Sequence, residues 1–290
     1  MRVLLIGVLA AVAGCGSSAG GSSSDGPRVV ATTTQLADMA RNVAPNADVT
    51  AILTANTDPH AYEVRPDDVK ALAKADVVLR SGGETDEWLE GALESAGVSD
   101  DKIVDAGAAA GLEGDDPHWW QDPRKAEKAA TAIGRGIEGA DPGPYVEKLH
   151  ALDRQVQACI DAVPAGERLL VTSHDALGYY ARRYGIRVVG TVIPSLSTSG
   201  QPSAGEVDAL VKTIRETGVK TIFAESSVNA KVEDAIAREA GVTVGQKLWA
   251  DSLGPEGSAG GTYIDSIEAN TRALVAGFTG APADCTFEDA

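Results

Sequence analysis

The chain of 290 residues holds four histidines. Three of them, His60, His118 and His174, stand in loops that follow apolar, strand-like runs. Two share a local setting, Asp58-Pro59-His60 and Asp116-Pro117-His118. Proline fixes its own φ and biases the preceding residue toward extended backbone, so both histidines sit on stiffened loops. His118 is followed by Trp119-Trp120 and then by Asp122-Pro123, which reads as an N-cap with proline at the first helical position. Imidazole is the commonest side-chain metal ligand, and three imidazoles plus one carboxylate suit tetrahedral zinc. Asp251, in the loop Ala250-Asp251-Ser252-Leu253-Gly254, is the fourth candidate because it too follows a strand-like run.

The plainer reading of a single histidine is a satisfied structural residue, and His150 fits it, lying mid-helix between Leu149 and Leu152. Three histidines at matching strand ends point instead to one ligand set. A ligating histidine usually donates its other N–H to a carboxylate or carbonyl. The acidic neighbours Asp58, Asp116, Asp175 and Glu225 are the candidates for that role. At least two of them are expected only to shape loops or, for Asp175, to cap the following helix. Trp88, Trp119 and Trp120 are expected to pack, because a bare ion offers nothing to stack on.

The elements that must position these residues alternate. Strands are predicted at 28–31, 49–53, 77–79 and 103–104, with helices at 35–43, 67–74 and 84–95 between them. From Pro123 to Val163 there is no strand signal, only a helix over 124–138 and a longer one over 145–162, where Leu149, Leu152, Val156 and Ile160 recur at helical spacing. Alternation then resumes. Strands are predicted at 169–172, 187–189, 221–224 and 242–244, and helices at 176–184, 207–217, 230–240 and 263–278. This is the α/β signature, giving two parallel-sheet lobes joined by one long connecting helix. The expected division is 28–140 for the first lobe, 141–165 for the linking helix and 166–290 for the second lobe. In open α/β sheets ligands bind beyond the carboxyl ends of the strands, where the three histidines are predicted to lie.

The formal charge of -17 leaves no phosphate-neutralising surplus and argues against a nucleic-acid partner. Residues 1–14 form a signal segment: Arg2, then an apolar run from Val3 to Val12 too short to span a bilayer. Val12-Ala13-Gly14-Cys15 resembles the bacterial lipoprotein signal, in which the cysteine is lipidated and becomes the first mature residue. Residues 15–27, nearly all Gly, Ser and Ala, read as a flexible tether. With Cys15 lipidated, Cys159 and Cys285 remain, an even number in an oxidising compartment. One disulfide between them is expected, with two free thiols as the alternative.

From Val29 onward the chain resembles the metal-binding lipoproteins of bacterial zinc and manganese ABC importers. The resemblance rests on Asp58-Pro59-His60-Ala61-Tyr62-Glu63, Gly82 to Leu89, Asp116 to Pro123, and Ser173-His174-Asp175 through Tyr184-Gly185. Pro202-Ser203, Asp251 to Gly254 and Tyr263 to Asn270 match as well. It implies an extracytoplasmic, lipid-anchored monomer that takes up one ion per chain at His60, His118, His174 and Asp251 and passes it to a membrane permease. It also implies two lobes on a single long helix with little hinge motion. Members with glutamate at the position of His174 lean toward manganese; imidazole there favours Zn²⁺, with Mn²⁺ the alternative. Gln121 and Val64 depart from the family pattern, which has an aliphatic residue and proline there, and no histidine-rich loop is present. A zinc hydrolase is the rival class, but HExxH is absent, and the one Gly-x-Ser-x-Gly match, Gly16 to Gly20, falls in the Gly/Ser tether rather than between a strand and a helix. An adhesin role, a label sometimes attached to the family, would need an exposed partner surface.

Overall fold

The computed structural model describes residues 26–288. The signal segment, Cys15 and all but the last two residues of the tether lie outside them. The first half alternates β1 (Arg28–Ala31), α1 (Thr34–Val43), β2 (Asp48–Ala51), α2 (Pro66–Lys74), β3 (Val77–Arg80), α3 (Leu89–Ala96), β4 (Ile103–Asp105) and α4 (Ala106–Ala110). Its four strands are all parallel, in spatial order β2-β1-β3-β4. Val29, Val30, Val78 and Leu79 are almost completely buried, as expected of a parallel sheet covered on both faces.

Two helices follow without a strand, α5 (Pro123–Gly136) and α6 (Gly143–Asp161). The second half comprises β5 (Leu169–Thr172), α7 (Gly178–Tyr184), β6 (Arg187–Thr191), α8 (Ala204–Thr217), β7 (Thr221–Ile222), α9 (Lys231–Ala240), β8 (Thr243–Val244) and α10 (Tyr263–Thr279). β5 pairs with β6 and β7 with β8, both parallel. The Phe223 N–H donates to the Val171 carbonyl at 2.8 Å and a parallel bridge joins Thr172 to Phe223. The order is therefore β6-β5-β7-β8, the same winding as in the first half.

The expected helix over 84–95 is in fact two pieces, a 3-10 turn at Gly83–Asp86 and then α3. The cause is Asp86, which is fully buried. Its carboxylate accepts from the N–H groups of Ser81 and Gly82 and from the Thr32 hydroxyl, so it must turn back toward β1. β7 is shorter than the predicted run 221–224; beyond Ile222 the pairing continues as single bridges at Phe223 and Glu225.

α6 carries the apolar stripe predicted for it: Leu149, Leu152, Val156 and Ile160 are fully buried. They belong to one continuous core that also contains Leu36 and Met39 of α1, Tyr180 of α7 and Leu274 of α10. At Asp153 the same helix accepts two N–H bonds from Arg183, at 2.9 and 2.6 Å, and one from the Tyr184 hydroxyl. Near its end Cys159 is bonded to Cys285 of the C-terminal tail, with 5.4 Å between the Cα atoms. The bond spans 126 residues, and loop-closure entropy for a loop that long reaches about 5 kcal/mol, with 2–4 kcal/mol typical in practice. Cys285→Ser should therefore lower the unfolding free energy by roughly 2–4 kcal/mol in urea melts under non-reducing conditions. An unchanged midpoint would show that the pair does not cross-link in solution.

Candidate metal centre

His60 sits in a 3-10 turn, Pro59–Ala61, whose N-cap is Asp58. One Asp58 oxygen accepts the His60 backbone N–H at 3.0 Å. The other accepts the Thr198 hydroxyl, from the second half, at 2.6 Å. Asp58 thus shapes the loop and ties it across the molecule, while its carboxylate accepts no hydrogen bond from the His60 ring.

His118 occupies the N-cap of a later 3-10 turn, Trp119–Gln121. Asp116 Oδ1 meets both its backbone N–H, at 3.1 Å, and its Nδ1, at 3.0 Å. His174 follows β5, and Glu225 meets it twice, Oε1 at 3.1 Å from the backbone N–H and Oε2 at 2.7 Å from Nδ1. A carboxylate only accepts, so Nδ1 carries the hydrogen in both rings and Nε2 is left for a ligand. Asp175, adjacent to His174, makes no such contact. Its N–H donates to the Ser195 carbonyl, and α7 starts beyond it with Leu177 at the N-cap and no side-chain cap.

The three Nε2 atoms and the Asp251 carboxylate converge. His118 Nε2 lies 3.5 Å from Asp251 Oδ1, His174 Nε2 lies 3.5 Å from Oδ2 and His60 Nε2 lies 3.9 Å from Oδ2. His118 and His174 place their Nε2 atoms 3.3 Å apart, and one ligand atom from each of the four residues falls within 4.8 Å of every other. Zinc bonds of about 2.0–2.1 Å in tetrahedral geometry demand ligand separations of about 3.3–3.4 Å. The cluster is close to that shape, with His60 set slightly back. All four side chains are at most 1% exposed. His60 Nε2 and both Asp251 oxygens are buried and have no hydrogen-bond partner among the described residues. A buried carboxylate with no donor is costly unless a cation compensates it.

The electrostatics divide the rings. Burial pulls His60 down to about 4, overcoming the opposing field of Asp251. At His174 burial acts in the same downward direction but is outweighed by the fields of Asp251 and Glu225 and by the Glu225 hydrogen bond, and the ring is pushed up to about 10. Burial also pushes Glu225 upward, with the His174 charge opposing it.

The tryptophans frame the cluster. Trp119 Nε1 donates to the Ser81 carbonyl and Trp120 Nε1 to the Ala250 carbonyl. The Trp120 ring also stands edge-on to His118, 5.3 Å between centroids. His150 is elsewhere, on α6 beside Glu127. Thr198, which bridges to Asp58, and Ser199, whose hydroxyl donates to the His60 carbonyl, carried no signal in the sequence.

Two α/β halves wound alike and closed on this cluster define the fold of a periplasmic binding protein. Residues 29–277 match the family described as zinc-uptake complex component A, periplasmic, and the chain belongs to it. The manganese-binding lipoprotein MntA of Bacillus subtilis is 33% identical over 292 residues, covering 91% of this chain and 94% of its own. The zinc-binding protein TroA of Treponema pallidum is 30% identical over 297 residues, covering 94% and 96%. A solved structure of TroA superposes with a TM-score of 0.78 at 26% identity, covering 87% of this chain and 99% of that one.

Proposed function

We propose that the protein captures a divalent transition metal outside the cytoplasmic membrane, Zn²⁺ in the first place, and delivers it to the permease of an ABC importer. The observation that carries this is the convergence of three buried imidazole nitrogens on a buried carboxylate that has no donor of its own. His60, His118, His174 and Asp251 are the ligands in this reading, with Asp116 and Glu225 orienting two of the rings. The family and the relatives named for zinc and manganese support the transport role. The third imidazole, in place of a harder oxygen ligand, favours Zn²⁺ over Mn²⁺. Four protein ligands leave no open position for an activated water, which argues against a hydrolase. Lipidation at Cys15 would hold the protein, as a monomer, at the outer face of the membrane. Lobes 28–140 and 166–290 would move little about α6, whose apolar stripe lies in a core shared by both.

The double variant His60→Ala/His118→Ala tests the site. It is expected to lose stoichiometric Zn²⁺ uptake in equilibrium dialysis; retention of one ion per chain would remove the assignment. Zinc outranks manganese at any such N/O site in vitro, so the physiological ion is to be read by elemental analysis of protein purified from its own host.

A further inference from the structure

Asp251 is held differently from the histidines opposite it. His118 and His174 have their rings fixed by carboxylates at Nδ1. Neither oxygen of Asp251 accepts a hydrogen bond from any described residue. What holds Asp251 in place through hydrogen bonds is therefore its backbone. The carbonyl of Ala250 and the N–H of Asp251 share one rigid peptide plane, so whatever fixes that carbonyl fixes the backbone from which the Asp251 side chain starts.

Two side chains from the turn that carries His118 fix it. Trp120 Nε1 donates to the Ala250 carbonyl at 2.8 Å and Gln121 Nε2 donates to the same oxygen at 2.7 Å. A carbonyl oxygen only accepts, so the amide nitrogen of Gln121, not its oxygen, must face it. Gln121 is 1% exposed, and its own Oε1 has no hydrogen-bond partner among the described residues. Trp120 is in turn pinned, since its carbonyl accepts the Tyr263 hydroxyl at 2.6 Å. On the near side of the loop, Asn270 bonds both the N–H and the carbonyl of Trp249. On the far side, the Leu253 N–H reaches the Thr34 hydroxyl.

We propose that Gln121 is a positioning residue for the metal. By gripping the Ala250–Asp251 peptide from the His118 turn, it couples the two sides of the cage and slows release of the bound ion. The proposal rests on the metal-capture reading above. The amide of Gln121 bonds the Ala250 carbonyl rather than a ligand side chain, so it acts through Asp251.

The test is Gln121→Leu, which keeps nearly the same volume and leaves Trp120 on the carbonyl. Gln121→Met, unbranched like glutamine, stands in should the leucine variant fold poorly. Zn²⁺ release into excess chelator is followed by stopped flow, and the visible spectrum of the Co²⁺-loaded protein is recorded alongside. Removing partners that orient metal ligands typically costs 10–100-fold. With Trp120 retained, the off-rate should rise about tenfold, with an altered Co²⁺ band and an unchanged Tm of the metal-free protein. An off-rate equal to the parent's overturns the proposal. So does a faster off-rate with an unaltered Co²⁺ spectrum, which would mean general loosening rather than a re-aimed Asp251. If the parent protein itself takes up neither Zn²⁺ nor Co²⁺, the failure is that of the metal-capture reading instead.

Discussion

Asp251→Asn is expected to weaken Zn²⁺ binding by roughly two to three orders of magnitude. Four-ligand zinc sites bind with about 10–16 kcal/mol, or about 2.5–4 kcal/mol for each ligand, and 1.4 kcal/mol is a factor of ten. The asparagine nearly preserves volume in a site that is 1% exposed, so the loss reports on charge and ligation rather than on a cavity. The effect should be visible in melting as well. A ligand at a thousand times its Kd adds about 4 kcal/mol of stability. A 300-fold weaker site at the same zinc concentration would gain only about 1 kcal/mol. Calorimetric scans with and without Zn²⁺ should therefore show most of the metal-induced rise in Tm disappear. Equal rises in parent and variant would take Asp251 out of the ligand set.

Acid should release the metal in two regimes. Ligation needs a lone pair on every Nε2, so any proton held there must leave. His174, pushed up to about 10, is protonated in the metal-free protein through the neutral range, whereas His60, pulled down to about 4, is not. Loading near neutrality then expels one proton from the His174–Glu225 pair, whichever member holds it. Because the raised group must lose its proton to bind, affinity falls as pH falls, about tenfold per unit and about a thousandfold from pH 8 to pH 5. Below about 4 His60 also takes a proton and the slope steepens. Competition with a chelator across pH 5–8, joined to calorimetry in buffers of different ionisation enthalpy, measures both the slope and the proton. A flat affinity with no proton released would contradict ligation by His174.

Much of the architecture is legible along the chain because its signals are local. The strand-and-helix alternation, the apolar stripe of α6 and the Asp-Pro pairs ahead of His60 and His118 all act within a few residues. The Asp116–His118 contact is of this kind. An aspartate two residues upstream closes onto its own loop, taking both the backbone N–H and the ring. The break between Gly83–Asp86 and α3 was hidden because Asp86 answers to Ser81, Gly82 and, 54 residues away, Thr32.

By itself the sequence determined which residue types stand at the ends of which strands, and so the four side chains able to meet around an ion. Those depend on hydrophobic periodicity and on turn chemistry, which are properties of short segments. Only the tertiary structure decided which carboxylate serves which imidazole. Asp175 adjoins His174, but in the bend after β5 its backbone N–H bonds the Ser195 carbonyl and its carboxylate makes no bond to the ring. Glu225, 51 residues on, is its partner because the bridge of Phe223 to Thr172 lays the end of that strand beside β5. Gln121 likewise acquired a role only when the fold brought Ala250, 129 residues away, within 2.7 Å of its amide. A hydrogen bond between distant segments is set by strand order and packing, which no local pattern encodes.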